Sequence, residues 1–167
     1  MTTTPQYHIT ASIVAFESKP EELKQAALSF LNLDVPKLLL IIDHSPTDDL
    51  KTVCNFPDTL YFHHPENRGF GAGHNIAIRK TINHSPYHLV LNPDINFEPD
   101  VLPELLSFLE KNKDVAHLMP KIVDAQGNLQ HLAKLLPTPA DLIFKRFFPS
   151  SFYKKRKEKF QLLFTDY

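Results

Sequence analysis

Asn67-Arg68-Gly69-Phe70-Gly71-Ala72-Gly73-His74-Asn75 holds three of the chain's four glycines within five residues. Ahead of it, Leu60 to His63 reads as a short strand; behind it, Ile76 to Ile82 reads as a helix. The spacing therefore predicts a strand-to-helix turn at the glycines. At such a turn the unpaired N–H groups and positive dipole end of the helix can face an anion, and missing Cβ atoms let a ligand approach the backbone. The same cluster also suits a tight turn that only lets the helix pack closely on a sheet. A dinucleotide fingerprint would need a third glycine where His74 stands, and no Gly-Lys-Ser/Thr follows, so neither familiar phosphate motif fits. Asn67, Arg68 and Asn75 add side-chain donors, which favours a ligand.

A second motif lies downstream. Tyr87 to Leu91 is a β-type run that stops at Asn92-Pro93-Asp94, where proline ends ladder pairing and two side-chain oxygens project beyond the strand's carboxyl end. Open α/β sheets bind ligands at that end. An acidic side chain there suits Mg2+ or Mn2+, which takes oxygen ligands and shares them with a substrate's phosphates. An Asx turn capping the strand is the plainer reading of the same three residues.

Around these motifs strands and helices alternate, predicting a mainly parallel sheet flanked by helices. Ile9 to Ala15 reads as a strand. Pro20 to Leu31 reads as a helix with proline in its first turn and Leu23, Ala27, Leu28 and Leu31 on one face. Leu38 to Ile42 is apolar throughout, as in a central parallel strand. Asp100 to Asn112 reads as a helix carrying Val101, Leu105, Phe108 and Leu109, Val115 to Met119 as a strand, and Lys121 to Gln130 as a hairpin turning at Gly127.

Taken together, the two motifs resemble those of the family 2 glycosyltransferases, particularly the rhamnosyltransferase-like branch, with its Asn-Arg-Gly-Phe-x-x-Gly-x-Asn and Leu-Asn-Pro-Asp segments. Ile13 to Ser18 is similar to that family's first strand and Ile41 to Ser45 to its second; the likeness runs from about Ile9 to Leu132. It implies a GT-A, Rossmann-like α/β fold over residues 7–132 that binds a nucleotide-diphosphate-sugar, dTDP- or UDP-linked. It implies donor contacts from Phe16, Asp43, Asn67, Arg68, Gly69, Gly71, Gly73, Asn75, Asn92 and Asp94. Asp43 would hydrogen-bond the base, and Asp94 would hold the divalent cation. The implied activity is inverting sugar transfer to a glycan or lipid-linked acceptor in cell-surface polysaccharide synthesis.

The departures matter too. Glu17 and His44 stand where the family usually has asparagine. No Glu-Asp motif supplying a catalytic base follows before Tyr167, and neither Glu98 nor Asp100 is marked as facing an acceptor. The resemblance therefore implies a donor-binding half, whose alternative is a nucleotide-sugar-binding module without turnover. A nucleotidyltransferase is disfavoured, because Phe16-Glu17-Ser18-Lys19-Pro20 lacks the glycine-rich loop that class carries after its first strand.

Composition sets bounds on partners. With 43% hydrophobic residues, 22% charged residues and a net charge of −1, the chain reads as one globular domain with no global attraction to nucleic acid. One cysteine, Cys54, excludes an intramolecular disulfide and reads as a buried small hydrophobe. The start of the chain lacks the pattern of a signal peptide, so a cytoplasmic protein is expected. Nine histidines read as surface or loop residues without zinc-site spacing, except His74, whose imidazole could meet a diphosphate. The segment 133–167 interleaves aromatic and basic residues, as in Phe152-Tyr153-Lys154-Lys155-Arg156, and suits self-association or peripheral contact with an anionic inner membrane face. A solvated helix packing its aromatics on the sheet fits it equally.

Overall fold

The computed structural model of the chain describes residues 5–124, 126–130 and 138. The chain divides into two compact units, Met1–Lys113 and Asp114–Tyr167; the domain expected at 7–132 runs from the first into the second. In the first unit β1 (Ile9–Ala15), α1 (Pro20–Leu31), β2 (Lys37–Asp43), a 3-10 turn (Asp49–Lys51), β3 (Thr59–His63), α2 (Phe70–Thr81), β4 (Tyr87–Leu91) and α3 (Val101–Lys111) follow in order. The sheet runs β3-β2-β1-β4 and every pair is parallel. Ala15 is level with Asp43, Asp43 with His63, and Ile13 with Leu91, so all four carboxyl ends lie along one edge.

Alternation along β1 separates the two faces. Ile9, Ala11, Ile13 and Ala15 join Leu23, Ala26, Ala27 and Phe30 of α1 and Leu102 and Leu106 of α3 in the larger core. Val14 points the other way, into a small cluster with Leu40, Ile42 and Ala77 of α2. Helices α1 and α2 thus cover opposite faces. The chain leaves β1 towards β2 on one side and reaches β4 from β3 on the other, making a switch point between β1 and β4 where open α/β sheets form a ligand crevice.

Several expectations need correcting. The buried stripe of α1 is Leu23, Ala26, Ala27 and Phe30, a strict i, i+3, i+4, i+7 pattern in which two alanines admit close approach to the sheet. Helix α3 buries Leu102 and Leu106, while Phe108 is 46% exposed. Val115 to Met119 forms no ladder with any described residue, because apolar composition alone does not make a strand without a hydrogen-bonding partner. The hairpin is present in miniature, as a Val123–Leu129 bridge turning at Gly127 with φ 82°. Of the 133–167 segment, only Thr138 lies within the described residues.

The glycines also differ from expectation. Helix α2 begins at Phe70, so Gly71 and Gly73 lie inside it and Gly69 alone of the three takes a positive φ, 85°. A Cβ on Gly73 would fall 2.6 Å from Val14 Cγ2 and 3.1 Å from His44 Nε2, whereas one on Gly71 would meet nothing within 4 Å. Gly73 therefore sets how closely α2 packs on β1. We expect Gly73→Ala to lower the unfolding free energy by roughly 1–3 kcal/mol, as overpacking does, and Gly71→Ala to raise it by up to about 1 kcal/mol through helix propensity. Urea titration of both variants checks this; equal midpoints would show that Val14 yields without strain.

Candidate functional site

The carboxyl edge of the sheet gathers most of the expected site residues. Phe16 leaves β1 48% exposed, and Asn92 and Asp94 leave β4 exposed, with no partner for either side chain among the described residues. Asn67 Oδ1 accepts the Gly69 N–H at 2.9 Å, building the turn that gives Gly69 its left-handed φ. That turn starts α2 with Phe70 51% exposed. Because Gly73 N–H donates to Gly69 O, the amides of Phe70, Gly71 and Ala72 are the ones free for an anion. Arg68 Nη2 donates to Glu66 Oε2 at 2.7 Å, which lowers the Glu66 pKa and leaves other guanidinium donors available. Asn75 is exposed on α2.

Asp43 sits differently. Its carboxylate has 0% exposure; Oδ1 accepts the Ser45 N–H at 2.8 Å and Oδ2 accepts the Tyr61 hydroxyl at 2.5 Å. Burial and then Asp43 raise the Tyr61 pKa strongly, so the phenol stays a donor. The brace continues outward. Ser45 Oγ accepts the Glu17 N–H at 2.9 Å, and Ser45 O accepts His63 Nε2–H at 2.9 Å. Burial, with Asp43 nearby, pushes Cys54 up to about 12, so the thiol is an inert core group, as the sequence reading holds.

Among the histidines expected at the surface, His44 and His74 are buried and His88 is half-buried. Ser12 Oγ shares hydrogen bonds with His74 Nδ1 at 2.7 Å and His88 Nε2 at 2.8 Å, and His88 Nδ1 shares one with Thr10 Oγ1 at 2.9 Å. Thr10 and Ser12 stand on the β1 face that meets α2, so these bonds dock the helix where apolar partners are missing. His74 is 3% exposed, and its Nε2 has no partner among the described residues. Its ring meets that of Phe70 edge-on, with centroids 4.3 Å apart. His44, also buried, donates from Nδ1 to His64 O at 2.7 Å and turns Nε2 towards Gly73. The sequence signal for this set was the pair of hydroxyls at alternate positions, Thr10 and Ser12, inside an otherwise apolar strand.

Candidate bases are less prominent. Glu98 and Asp100 are exposed ahead of α3. In the second unit Asp124 accepts hydrogen bonds from the Asn128 side chain and from the backbone of Gln126 and Asn128, which hold its pKa below the usual range. No cluster of three or more metal-ligating side chains occurs among the described residues, so a cation here would have to share its coordination with a ligand's oxygens.

Comparison with known proteins decides the family. The family model described as glycosyl transferase family 2 matches residues 11–166. The chain belongs to this family. Over 108 residues it is 25% identical to the low-salt glycan biosynthesis hexosyltransferase Agl10 of Haloferax volcanii, covering 64% of this chain and 34% of that protein. It thus spans about a third of the length of this curated relative. The crystal structure of S. aureus TarS aligns with a TM-score of 0.52 at 13% identity, over 64% of this chain and 20% of that one. That likeness is one of fold, and it accords with the GT-A architecture of a parallel sheet flanked by helices. No helix among the described residues is long and apolar enough to cross a membrane.

The buried histidines of this family 2 domain generate a pH prediction. Burial lowers His74 and His88 to about 4, with His88 contributing further at His74. Their folded-state pKa values lie below the unfolded value near 6.5, so the unfolded chain binds more protons between those limits. Stability is therefore full above about pH 6.5 and falls as pH drops towards 4. With both groups titrating, the slope approaches about 2.7 kcal/mol per pH unit, two protons at about 1.36 kcal/mol each. Urea midpoints from pH 7 to 4.5 should show this fall, and His88→Gln should roughly halve it; an unchanged slope would remove His88 from the explanation.

Proposed function

We propose that this domain binds the nucleotide-diphosphate-sugar of an inverting glycosyltransferase, with a dTDP- or UDP-linked donor and a glycan or lipid-linked acceptor. The observation that carries the reading is the exposed, unpartnered Asp94 at the carboxyl end of β4, beside the β1–β4 switch point. Asp94 suits Mg2+ or Mn2+, a hard cation that binds through one or two carboxylates and the substrate's phosphates; when bound, it would stabilise charge on the departing diphosphate. Phe16 offers an aromatic face to the base. Arg68, the free amides opening α2 and Asn92 supply donors for phosphate and sugar oxygens.

In the transfer itself an acceptor hydroxyl attacks the anomeric carbon, the bond from that carbon to the phosphate oxygen breaks, and the nucleoside diphosphate leaves with the bonding pair. The acceptor proton passes to a general base. A donor-binding module without turnover is the alternative. The aromatic and basic sequence from Phe144 to Phe164 supports self-association or contact with an anionic lipid surface at the cytoplasmic face.

Titration calorimetry with UDP or dTDP tests the reading. Asp94→Ala should abolish the Mg2+- or Mn2+-dependent part of binding, lowering affinity about tenfold or more, while its unfolding free energy stays within about 0.5 kcal/mol, as for an exposed side chain. Metal dependence unchanged by the substitution would remove Asp94 from this role.

A further inference from the structure

A cavity of about 510 Å³ lies between β3 and α2, within the range of about 300–1,000 Å³ usual for small-molecule sites. β3 is the far edge of the sheet, with β2 and β1 between it and β4, so this cavity is away from the switch point. Phe62, Pro65 and Ile76 supply its apolar walls, and Lys80 and Arg68 bring two cations to it from separate segments. Lys80 Nζ stands 4.7 Å from the centroid of the Phe62 ring, a cation–π contact, and has no carboxylate partner among the described residues. Arg68 meets Glu66, also on the wall, through Nη2, and its other N–H groups remain for a ligand. Two cations thus face one carboxylate beside apolar surface. The wall at His64 is fixed from both sides, because its N–H donates to Asp43 O and its carbonyl accepts His44 Nδ1–H, each at 2.7 Å.

We propose that this cavity binds a phosphomonoester carrying an apolar body, with Lys80 and Arg68 on the phosphate and Phe62, Pro65 and Ile76 against the body. An ammonium is a point charge and a guanidinium a planar fork; a tetrahedral anion with three terminal oxygens meets both at once, whereas a carboxylate is already satisfied by the fork alone. Glu66 offsets one of the two cations, which matches a single phosphate better than a diphosphate. A bare phosphate would leave most of the volume unfilled and the apolar walls in water, so the body completes the fit. A free metabolite and a membrane lipid can both present this chemistry. Of the residues assigned to the nucleotide-sugar only Arg68 is shared, and Lys80 belongs to this cavity alone.

Calorimetry on the full chain with n-hexyl phosphate, glucose 1-phosphate and inorganic phosphate, with and without UDP and Mg2+, tests this. Hexyl phosphate should bind about fivefold or more tighter than the other two, through the apolar walls, and UDP should not displace it. Lys80→Met should weaken it about fivefold or more, and Lys80→Arg should restore it to within about twofold, as expected of a charge-assisted contact. Lys24→Met removes the same charge from an exposed position on α1 and should change nothing; urea midpoints show that each variant is folded. Cosedimentation with phosphatidylcholine vesicles containing phosphatidic acid separates the two sources: pelleting that depends on Lys80 assigns the phosphate to a membrane, and hexyl phosphate binding without it assigns a free phosphomonoester. A native chain that does not bind hexyl phosphate, a Lys80→Met affinity within about twofold of native, or displacement by UDP would overturn the site. Glucose 1-phosphate binding as tightly as hexyl phosphate would overturn the apolar body.

Discussion

A carboxylate without exposed surface has to be hydrogen-bonded where it sits, and in this domain the ends of three strands are arranged around that demand. Asp43 closes β2; through Tyr61 it holds β3, and through Ser45 it fixes the backbone of the turn beyond β1. Removing either donor would leave part of a buried charge unsatisfied, a change that costs about 1–3 kcal/mol or more. The edge where a ligand would bind is thus rigid on the β1–β2–β3 side. Any adaptable part of that edge must come from the β4 side.

Helix α2 is held by unlike means on its two sides. Towards β2 it meets a small apolar cluster and comes close enough that Gly73 has no room for a side chain. Towards β4 it lies on hydroxyls and imidazoles. Buried polar groups of this kind stabilise only when matched, but they fix one docking geometry more tightly than apolar contact alone. The first turn of α2, with its free amides, inherits that fixed position.

Much of the fold was legible because it depends on local pattern. β1, α1 and β4 occupy the expected residues, since period-two and period-3.6 burial, proline at a helix start and Asn-Pro at a strand end each act within a few positions. What could not be read depends on distance along the chain. The Ser12–His74 and Ser12–His88 bonds join residues 62 and 76 positions apart, so no window of sequence contains both partners, and each histidine alone resembles a surface residue. The glycine segment misled for a different reason. Low intrinsic helix propensity argues for a turn, but close packing on Val14 calls for Gly73 inside α2, and Gly71 lies in the same first turn. The site was legible as residue types at strand ends; that Asp43 faces inward while Glu17 faces outward follows from side-chain hydrogen bonds between strands.

The chain of hydroxyls and imidazoles under α2 has a sense of direction. Each neutral ring and each hydroxyl has one proton to give, and both histidines are neutral at pH 7 because burial lowers them to about 4. If Thr10 gives its proton to His88 Nδ1, then His88 gives to Ser12, Ser12 gives to His74 Nδ1, and His74 Nε2 is left holding a hydrogen. Run the other way, His74 gives to Ser12, Ser12 to His88 and His88 to Thr10, whose own proton turns to Tyr87 O at 3.4 Å, leaving a bare lone pair on His74 Nε2. Ser12 Oγ can accept from both rings but has only one proton to give, so His74 and His88 cannot both receive from it. The buried terminus beneath α2 is therefore two-valued, a donor in one state and an acceptor in the other, and passing between them moves protons while every heavy atom keeps its place.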